Sequence, residues 1–382
     1  MEQKSLAILG STGSIGMQAL DIVREHSEQY RLVALTCNSN WQTLAQQVNE
    51  FRPAVALLCD ESFRSDLEGA VQHGETKILY GNDKLEEVAV LDEADIVLNS
   101  LVGFVGFRPT VSALKAGKKV ALANKESLVV GGKLITDLLN GKSDQLIPVD
   151  SEHSAMLQCL VGEPREQIEK LLITASGGPF RTWSRQEMEN ITVDDALNHP
   201  NWAMGSKITI DSATMMNKGL EIIEAHWLFD LPLNKIEAVV HPQSVIHSVV
   251  TFVDGSSKAQ LGPPNMKVPI LYALTYPDRL PLEVPRLNWK KAFELTFEPV
   301  DYDRFPCIRL ALQALEQGGA APAILNAANE IAVQRFLDKE IPYIQIPKII
   351  ETALKTLESD ITISVAALTE IDKTTRNLAS KI

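Results

Sequence analysis

Short apolar runs separated by amphipathic stretches dominate the first 150 residues. The runs fall at Leu6–Leu9, Leu32–Leu35, Val55–Leu58, Ile78–Tyr80, Ile96–Leu98, Val120–Leu122 and Leu146–Val149. Their length and branched content predict buried strands. Between them, Ile15–Glu28, Leu44–Asn49 and Pro109–Ala116 space their apolar residues three to four apart, which predicts helices. Repeated strand–helix alternation predicts an α/β fold with a parallel sheet covered on both faces.

The pattern changes after Asp150. A helix is predicted at Ser154–Val161, a strand at Ile168–Thr174 and a turn at Ser176-Gly177-Gly178-Pro179. Residues 180–206 are polar, tryptophan- and proline-containing and weakly periodic, which predicts a mobile loop. Lys207–Ile210 reads as a strand and Met215–Leu228 as a helix. Ile236–Val240, Ser248–Phe252 and Lys258–Leu261 read as strands of an antiparallel sheet. Pro269, Pro277, Pro281 and Pro285 mark a connection. From Arg309 onward the periodicity is helical, clearest at Ala320–Phe336 and Ile344–Leu357. There is no internal repeat and no low-complexity tract.

Two features carry chemistry. Gly10-Ser11-Thr12-Gly13-Ser14-Ile15-Gly16 follows the first strand and opens the first helix. Glycines there permit a tight turn and close approach of a phosphate to the helix N-terminus, as in a dinucleotide-binding Rossmann-like domain. The second strand ends in Asn38-Ser39-Asn40, with no carboxylate to grip a ribose 2′-hydroxyl, so NADP is favoured over NAD. The second feature is Pro148-Val149-Asp150-Ser151-Glu152-His153. Read as extended chain, it points Asp150 and Glu152 the same way, toward one hard cation such as magnesium or manganese. Glu221 is a third candidate ligand. The plainer readings are a helix cap for Asp150 and a solvated helix face for Glu221.

Apolar residues at 45% and charged residues at 22% are enough for a full core. The net charge of -13 argues against a nucleic-acid partner and a basic membrane-binding face. Cys37, Cys59, Cys159 and Cys307 form no CxxC pair, so neither a zinc site nor a disulfide framework is expected. No apolar run reaches the ~18 residues of a membrane span. Met1–Lys4 lead straight into a strand, without room for a leader. A cytoplasmic enzyme is expected.

Seven strings, in order along the chain, resemble the 1-deoxy-D-xylulose 5-phosphate reductoisomerase family. They are Gly10–Gly16, Ala123–Ser127, Pro148–His153, Ser176–Phe180, His199–Trp202, Asp211–Glu221 and His241–Ser248. The resemblance implies rearrangement and reduction of 1-deoxy-D-xylulose 5-phosphate to 2-C-methyl-D-erythritol 4-phosphate. NADPH and magnesium, manganese or cobalt are the implied cofactors. Carbon–carbon cleavage and rejoining and a concerted shift both remain open. The implied organisation is an NADPH-binding Rossmann-like domain (1–150), a central α/β catalytic domain with a mostly antiparallel sheet (151–286) and a connection with C-terminal helices (287–382), usually in a homodimer.

By the same resemblance Asp150, Glu152 and Glu221 hold the metal, and Lys125 and Ser151 contact the substrate near its carbonyl. Ser176, Ser212, Asn217 and Lys218 hold its phosphate. His199 touches substrate and Trp202 closes over it. Thr12, Gly13, Ser14, Ile15, Asn38, Ser39, Asn40, Asn124, Glu126, Met204 and Gly205 are implied cofactor contacts. His241 and His247 read as structural support, and His153 is not taken as a ligand. Two departures stand out: Ser39 occupies a position that is often basic in the family, and the stretch from Val161 to Ile168 is short. A semialdehyde dehydrogenase, the enzymatic rival, needs a nucleophilic cysteine beside a histidine. A non-catalytic NADP sensor needs no metal ligands.

Overall fold

Hydrophobic burial on both faces assembles the first sheet. The computed structural model describes residues 3–72, 74–142, 144–199, 202 and 204–382. Strands β1 (Lys4–Leu9), β2 (Tyr30–Cys37), β3 (Val55–Leu58), β4 (Lys77–Tyr80), β5 (Ile96–Asn99), β6 (Lys119–Leu122) and β7 (Leu146–Pro148) pair in parallel in the order β4-β3-β2-β1-β5-β6-β7. The helices between them are α1 (Ser14–Glu25), α2 (Trp41–Phe51), α3 (Arg64–Ala70), α4 (Leu85–Ala89), α5 (Phe107–Lys115) and α6 (Glu126–Leu139). Leu6, Ile8, Leu35, Leu57, Leu98 and Val120 are fully buried, as a doubly covered parallel sheet requires. The strand order reverses between β1 and β5, which opens a crevice at the carboxyl ends of those strands.

The later elements are α7 (Ser151–Leu160), β8 (Ile168–Ala175), α8 (Arg185–Met188), α9 (Val193–Leu197), α10 (Ser206–Ala213), α11 (Met216–Phe229), β9 (Ile236–Val240), β10 (Ile246–Phe252), β11 (Ser257–Leu261), α12 (Lys267–Thr275), β12 (Glu298–Pro299), α13 (Pro306–Gln317), α14 (Ala321–Leu337), α15 (Ile346–Thr356) and α16 (Val365–Ala379). The second sheet runs β11-β10-β8-β9-β12. It is mostly antiparallel, but β8 and β9 pair in parallel. A parallel pair needs a long crossover, and residues 176–235, with α10 and α11, supply it.

The chain divides into two compact units. The first holds residues 1–127, 135–150 and 266–284; the second holds 128–134, 151–265 and 285–382. The proline-rich stretch is therefore more than a connection. Pro269 lies in the first turn of α12, where its missing N–H costs nothing, and that buried helix packs in the first unit. Lys4 and Lys119 donate to the carbonyls of Leu274 and Tyr276 at its end.

Lys207–Ile210 belongs to a helix, not a strand. Its branched residues favour a strand locally, but Gly205 starts α10 and Thr209, Ile210 and Ala213 bury a helical face. Burial decides over local preference here. The segment 180–206 is not featureless either. Capping boxes at Ser184/Glu187 and Thr192/Asp195 start α8 and α9. Among the described residues, no helix is long and apolar enough to cross a membrane.

Helix α11 meets α13 at Gly219, where an added Cβ would lie 2.5 Å from the Ala311 Cβ. Gly219→Val gains only a few tenths of a kcal/mol of helix propensity, whereas overpacking costs about 1–3 kcal/mol. Urea unfolding should show a clear loss of stability. An unchanged midpoint would show that this interface has room.

Candidate active site

The glycine loop is built by two close approaches. Gly10 has φ +86°, and a Cβ there would lie 2.9 Å from the Ser100 carbonyl oxygen. A Cβ on Gly16 would lie 2.4 Å from the Gly10 carbonyl oxygen. Gly13 is only the N-cap of α1 and has no such conflict. Thr36 fastens the loop: its hydroxyl accepts from Gly10 N–H at 2.9 Å and its carbonyl from Ser11 N–H at 2.8 Å. Gly13 and Ser14 are exposed, Thr12 and Ile15 half-buried, and the first turn of α1 carries no acid. Free N–H groups and the helix dipole there suit an anion.

Asn38, Ser39 and Asn40 are exposed at the carboxyl end of β2. Asn40 caps α2 through Thr43 N–H at 3.3 Å. An acid that sequence spacing did not flag, Asp60, lies here: its N–H donates to the Asn38 carbonyl at 2.9 Å. Its carboxylate is held by the Ser62 hydroxyl and N–H, which lower its pKa.

Lys125 is buried and pairs with Asp150. Asn124 has no exposure, and its amide donates to the Leu101 and Gly103 carbonyls at 2.9 and 3.0 Å and to Glu126 Oε2 at 3.2 Å. Gly106 packs against that amide, where a Cβ would lie 2.5 Å away. Asn124 thus shapes the segment 101–106.

The strand reading of Asp150 and Glu152 needs correction. Strand β7 ends at Pro148 and Glu152 lies in the first turn of α7, so strand alternation does not set their directions. Glu152 is met instead by α11. Glu152 and Glu221 each offer an oxygen within 4.8 Å of the other, and Lys218 Nζ bridges them, 2.9 Å from Glu152 Oε1 and in contact with Glu221 Oε2. Asn217 donates to the other Glu221 oxygen, and Ser151 Oγ to Glu152 Oε2 at 2.6 Å. Lys218 and Glu221 are buried at 4% and 1% exposure. Burial alone would lower the lysine pKa, but the two carboxylates outweigh it and hold it above the ordinary value. Behind them, His153 Nε2 donates to the Glu221 carbonyl at 2.8 Å, Nδ1 lies 3.4 Å from Glu224, and the ring stacks on Phe229. Both His153 and Glu224 are completely buried, tying α7 to α11.

A second group gathers at the Ser176 turn. His199 Nδ1 accepts from Trp202 N–H at 3.0 Å, so Nε2 carries the proton and donates to Ser176 Oγ at 3.1 Å. The Gly178 N–H also reaches Ser176 Oγ, at 3.2 Å. With both acceptor directions filled, the Ser176 hydroxyl hydrogen is left to donate outward. A Cβ on Gly178 would lie 2.7 Å from the Ser212 carbonyl oxygen, so this turn and Ser212 are in direct contact. The Trp202 ring is 6.5 Å from that of His247, half-buried Met204 follows, and Gly205 caps α10. Pro200 and Asn201 of the same string lie outside the described residues. His241 is structural: it binds the Thr296 carbonyl at 2.8 Å and stacks on Phe297.

All four thiols are buried and free. Burial raises Cys159 and pushes Cys37 and Cys307 to about 12 and Cys59 to about 11. None is an activated nucleophile, which removes the semialdehyde dehydrogenase rival.

Known proteins give the same picture along the whole chain. Sequence models described as 1-deoxy-D-xylulose 5-phosphate reductoisomerase, its C-terminal domain, and DXP reductoisomerase C-terminal domain match residues 6–132, 146–229 and 261–378. The 1-deoxy-D-xylulose 5-phosphate reductoisomerase of Chloroherpeton thalassium is 51% identical over 373 residues, covering 98% of this chain and 96% of that protein. The chain belongs to the 1-deoxy-D-xylulose 5-phosphate reductoisomerase family. The solved reductoisomerase of Zymomonas mobilis in complex with NADPH superposes with TM-score 0.92 at 43% identity, covering 100% of this chain and 99% of that one. A DOX-P reductoisomerase in complex with NADPH, fosmidomycin and magnesium gives 0.92 at 41% identity, covering 99% and 98%. Family membership thus rests on both sequence and fold.

Burial lowers the His199 pKa below its ordinary 6.5. Neutral His199 is therefore favoured by folding, and its contribution to stability, present above pH ~6.5, is lost as pH falls through the folded value. A proton NMR titration should place its midpoint below 6.5. A midpoint above that value would remove the neutral donor–acceptor chain through Ser176 and Trp202.

Proposed function

We propose that this chain catalyses the NADPH- and divalent-metal-dependent conversion of 1-deoxy-D-xylulose 5-phosphate to 2-C-methyl-D-erythritol 4-phosphate in isoprenoid precursor synthesis. The observation that carries this reading is the cluster of half-buried Glu152 with buried Lys218 and Glu221, in a chain matched end to end by this family. A buried carboxylate and a half-buried one converging on one positive charge fit a cation site of oxygen donors. A sensor that only bound nucleotide would have no use for them.

In this reading Asp150, Glu152 and Glu221 hold the metal, whose bound ion polarises the substrate's carbonyl and hydroxyl oxygens. Lys125 fixes the Asp150 carboxylate and places an ammonium beside it. Ser151 orients Glu152. Ser176, Ser212, Asn217 and Lys218 offer hydroxyl, amide and ammonium donors to the substrate phosphate. Lys218 and Asn217 also bond the acid cluster, so one helix serves both ends of the substrate. His199 orders Ser176 on one side and Trp202 on the other, and Trp202 excludes water from the reacting carbonyl. The rearrangement conserves atoms; the reduction then adds a hydride, which NADPH supplies, and a proton.

The open glycine loop, with Thr12, Gly13, Ser14 and Ile15, fits the cofactor's phosphates. Asn38, Ser39 and Asn40 fit the ribose end without a competing free carboxylate. Asn124 and Glu126 shape the nicotinamide end, and Met204 and Gly205 lie near the cofactor. Residues 1–150 then chiefly bind NADPH, with Lys125 and Asp150 serving the metal and substrate; 151–286 bind metal and substrate, save that 266–284 pack in the first unit; and 287–382 connect and support.

The enzyme works as a homodimer. Trp289, Phe293 and Phe297 are 70%, 45% and 48% exposed, and an apolar patch of that kind suits a second copy. Four free thiols suit the cytoplasm.

The decisive assay follows NADPH absorbance with 1-deoxy-D-xylulose 5-phosphate and magnesium or manganese, then with chelator. Oxidation should require both sugar phosphate and metal; metal-independent oxidation would refute the site. Asp150→Asn and Glu221→Gln should each lower turnover by ~100-fold or more at saturating metal, as loss of charge stabilisation does. Near-normal turnover would clear those residues of the role. Trp202→Ala should weaken substrate affinity more than NADPH affinity, and equal losses would argue against closure.

A further inference from the structure

Asp211 is buried at 1% exposure, yet nothing in the proposed chemistry uses its carboxylate. Lys207 Nζ lies 2.8 Å from Oδ2, and Asn329 Nδ2 donates to Oδ1 at 2.8 Å. Asn329 is on α14 and fully buried. Two residues beyond Asp211, the Ala213 carbonyl accepts from the Tyr343 hydroxyl at 2.8 Å. Burial holds that phenol protonated, far above its ordinary pKa. Ser212 lies between the two anchored residues.

Tyr343 reaches the other half of the site as well. Its ring stands edge-on to Phe180 with centroids 5.5 Å apart, and Phe180 ends the Ser176–Phe180 string. The Ser212 carbonyl in turn meets Gly178. The Ser176 turn and Ser212 are thus both fixed by side chains contributed from the C-terminal helical region.

The next step in the chain is strained. Met215 has φ +59°, a left-handed conformation uncommon for a residue other than glycine. Such conformations persist when the surroundings over-determine them. The anchors at Asp211 and Ala213 precede it and the Gly219–Ala311 contact follows it. This turn carries α10 into α11, and so sets Ser212 against Asn217.

We infer that Asn329 and Tyr343 are positioning residues for the substrate phosphate. Both are buried and act through Asp211–Ala213 and the Ser176 turn, setting the spacing of Ser176, Ser212 and Asn217. The inference rests on the reading of those three residues as phosphate donors.

Tyr343→Phe keeps the ring against Phe180 and removes only the hydroxyl; Asn329→Ala removes the amide. In the full enzyme with NADPH and manganese, each should raise both the KM for 1-deoxy-D-xylulose 5-phosphate and the Ki of inorganic phosphate by roughly 3–10-fold, the worth of one hydrogen bond. The kcat and the NADPH affinity should stay near wild type. A fall in Tm with KM and Ki unchanged would overturn the inference and leave a merely structural role. Equal weakening of NADPH would overturn it too. If Asn329→Ala does not fold, Tyr343→Phe decides. Ser212→Ala is the control. If it leaves KM and the phosphate Ki unchanged, the phosphate-site reading fails and takes the inference with it. If it raises both while Tyr343→Phe does not, the inference alone fails.

Discussion

Two ionised carboxylates held side by side and largely out of water need a positive charge between them. Glu152 and Glu221 are placed so, and the ammonium of Lys218 meets that requirement. Removing an ionised carboxylate from water costs several kcal/mol even after relaxation, and the like charges repel in addition. A purely structural core would use apolar residues instead. That the chain keeps two acids, a lysine and an asparagine on facing helices argues for a site that must hold positive charge.

The surroundings are arranged to hold that geometry. His153, one residue after Glu152, bonds the backbone carbonyl of Glu221 and faces Glu224. Helix α7 and helix α11 are therefore locked where their acids meet. On its other side α11 lies against α13 with only glycine separation at Gly219. Helix α10, which leads into α11, is held by Asn329 and Tyr343. The C-terminal helices thus act on the site through packing and buried hydrogen bonds, which is a reason for them to share a compact unit with the second sheet.

The nucleotide end uses a different principle. It needs backbone groups left free rather than charges brought together. Gly10 and Gly16 clear the space, Thr36 and Ser100 hold the loop, and Gly13 and Ser14 are exposed. Asp60 is near Asn38, but its carboxylate is already engaged by Ser62.

Periodicity in the sequence was enough to determine the parallel sheet, because strands buried on both faces must be apolar throughout and the helices between them must be one-sided. Glycine spacing after β1 likewise marked the phosphate loop, and long specific strings marked the family. Sequence reading failed where local preference and tertiary burial disagree. Lys207–Ile210 has strand-like residues but a helical burial face, and Pro269, in a stretch whose prolines suggest a connection, lies in the first turn of a helix. The pattern around Asp150 and Glu152 suggests one extended strand, although the chain turns helical between them. Asp211 and Ala213 lie in a conspicuous string without a readable role, because Asn329, which bonds Asp211, and Tyr343, which bonds the Ala213 carbonyl, are more than a hundred residues away. Sequence pattern reports which face of an element is buried. Only the folded chain decides which distant polar groups meet on that face, since a buried hydrogen bond is specified by position in space and leaves no period along the chain.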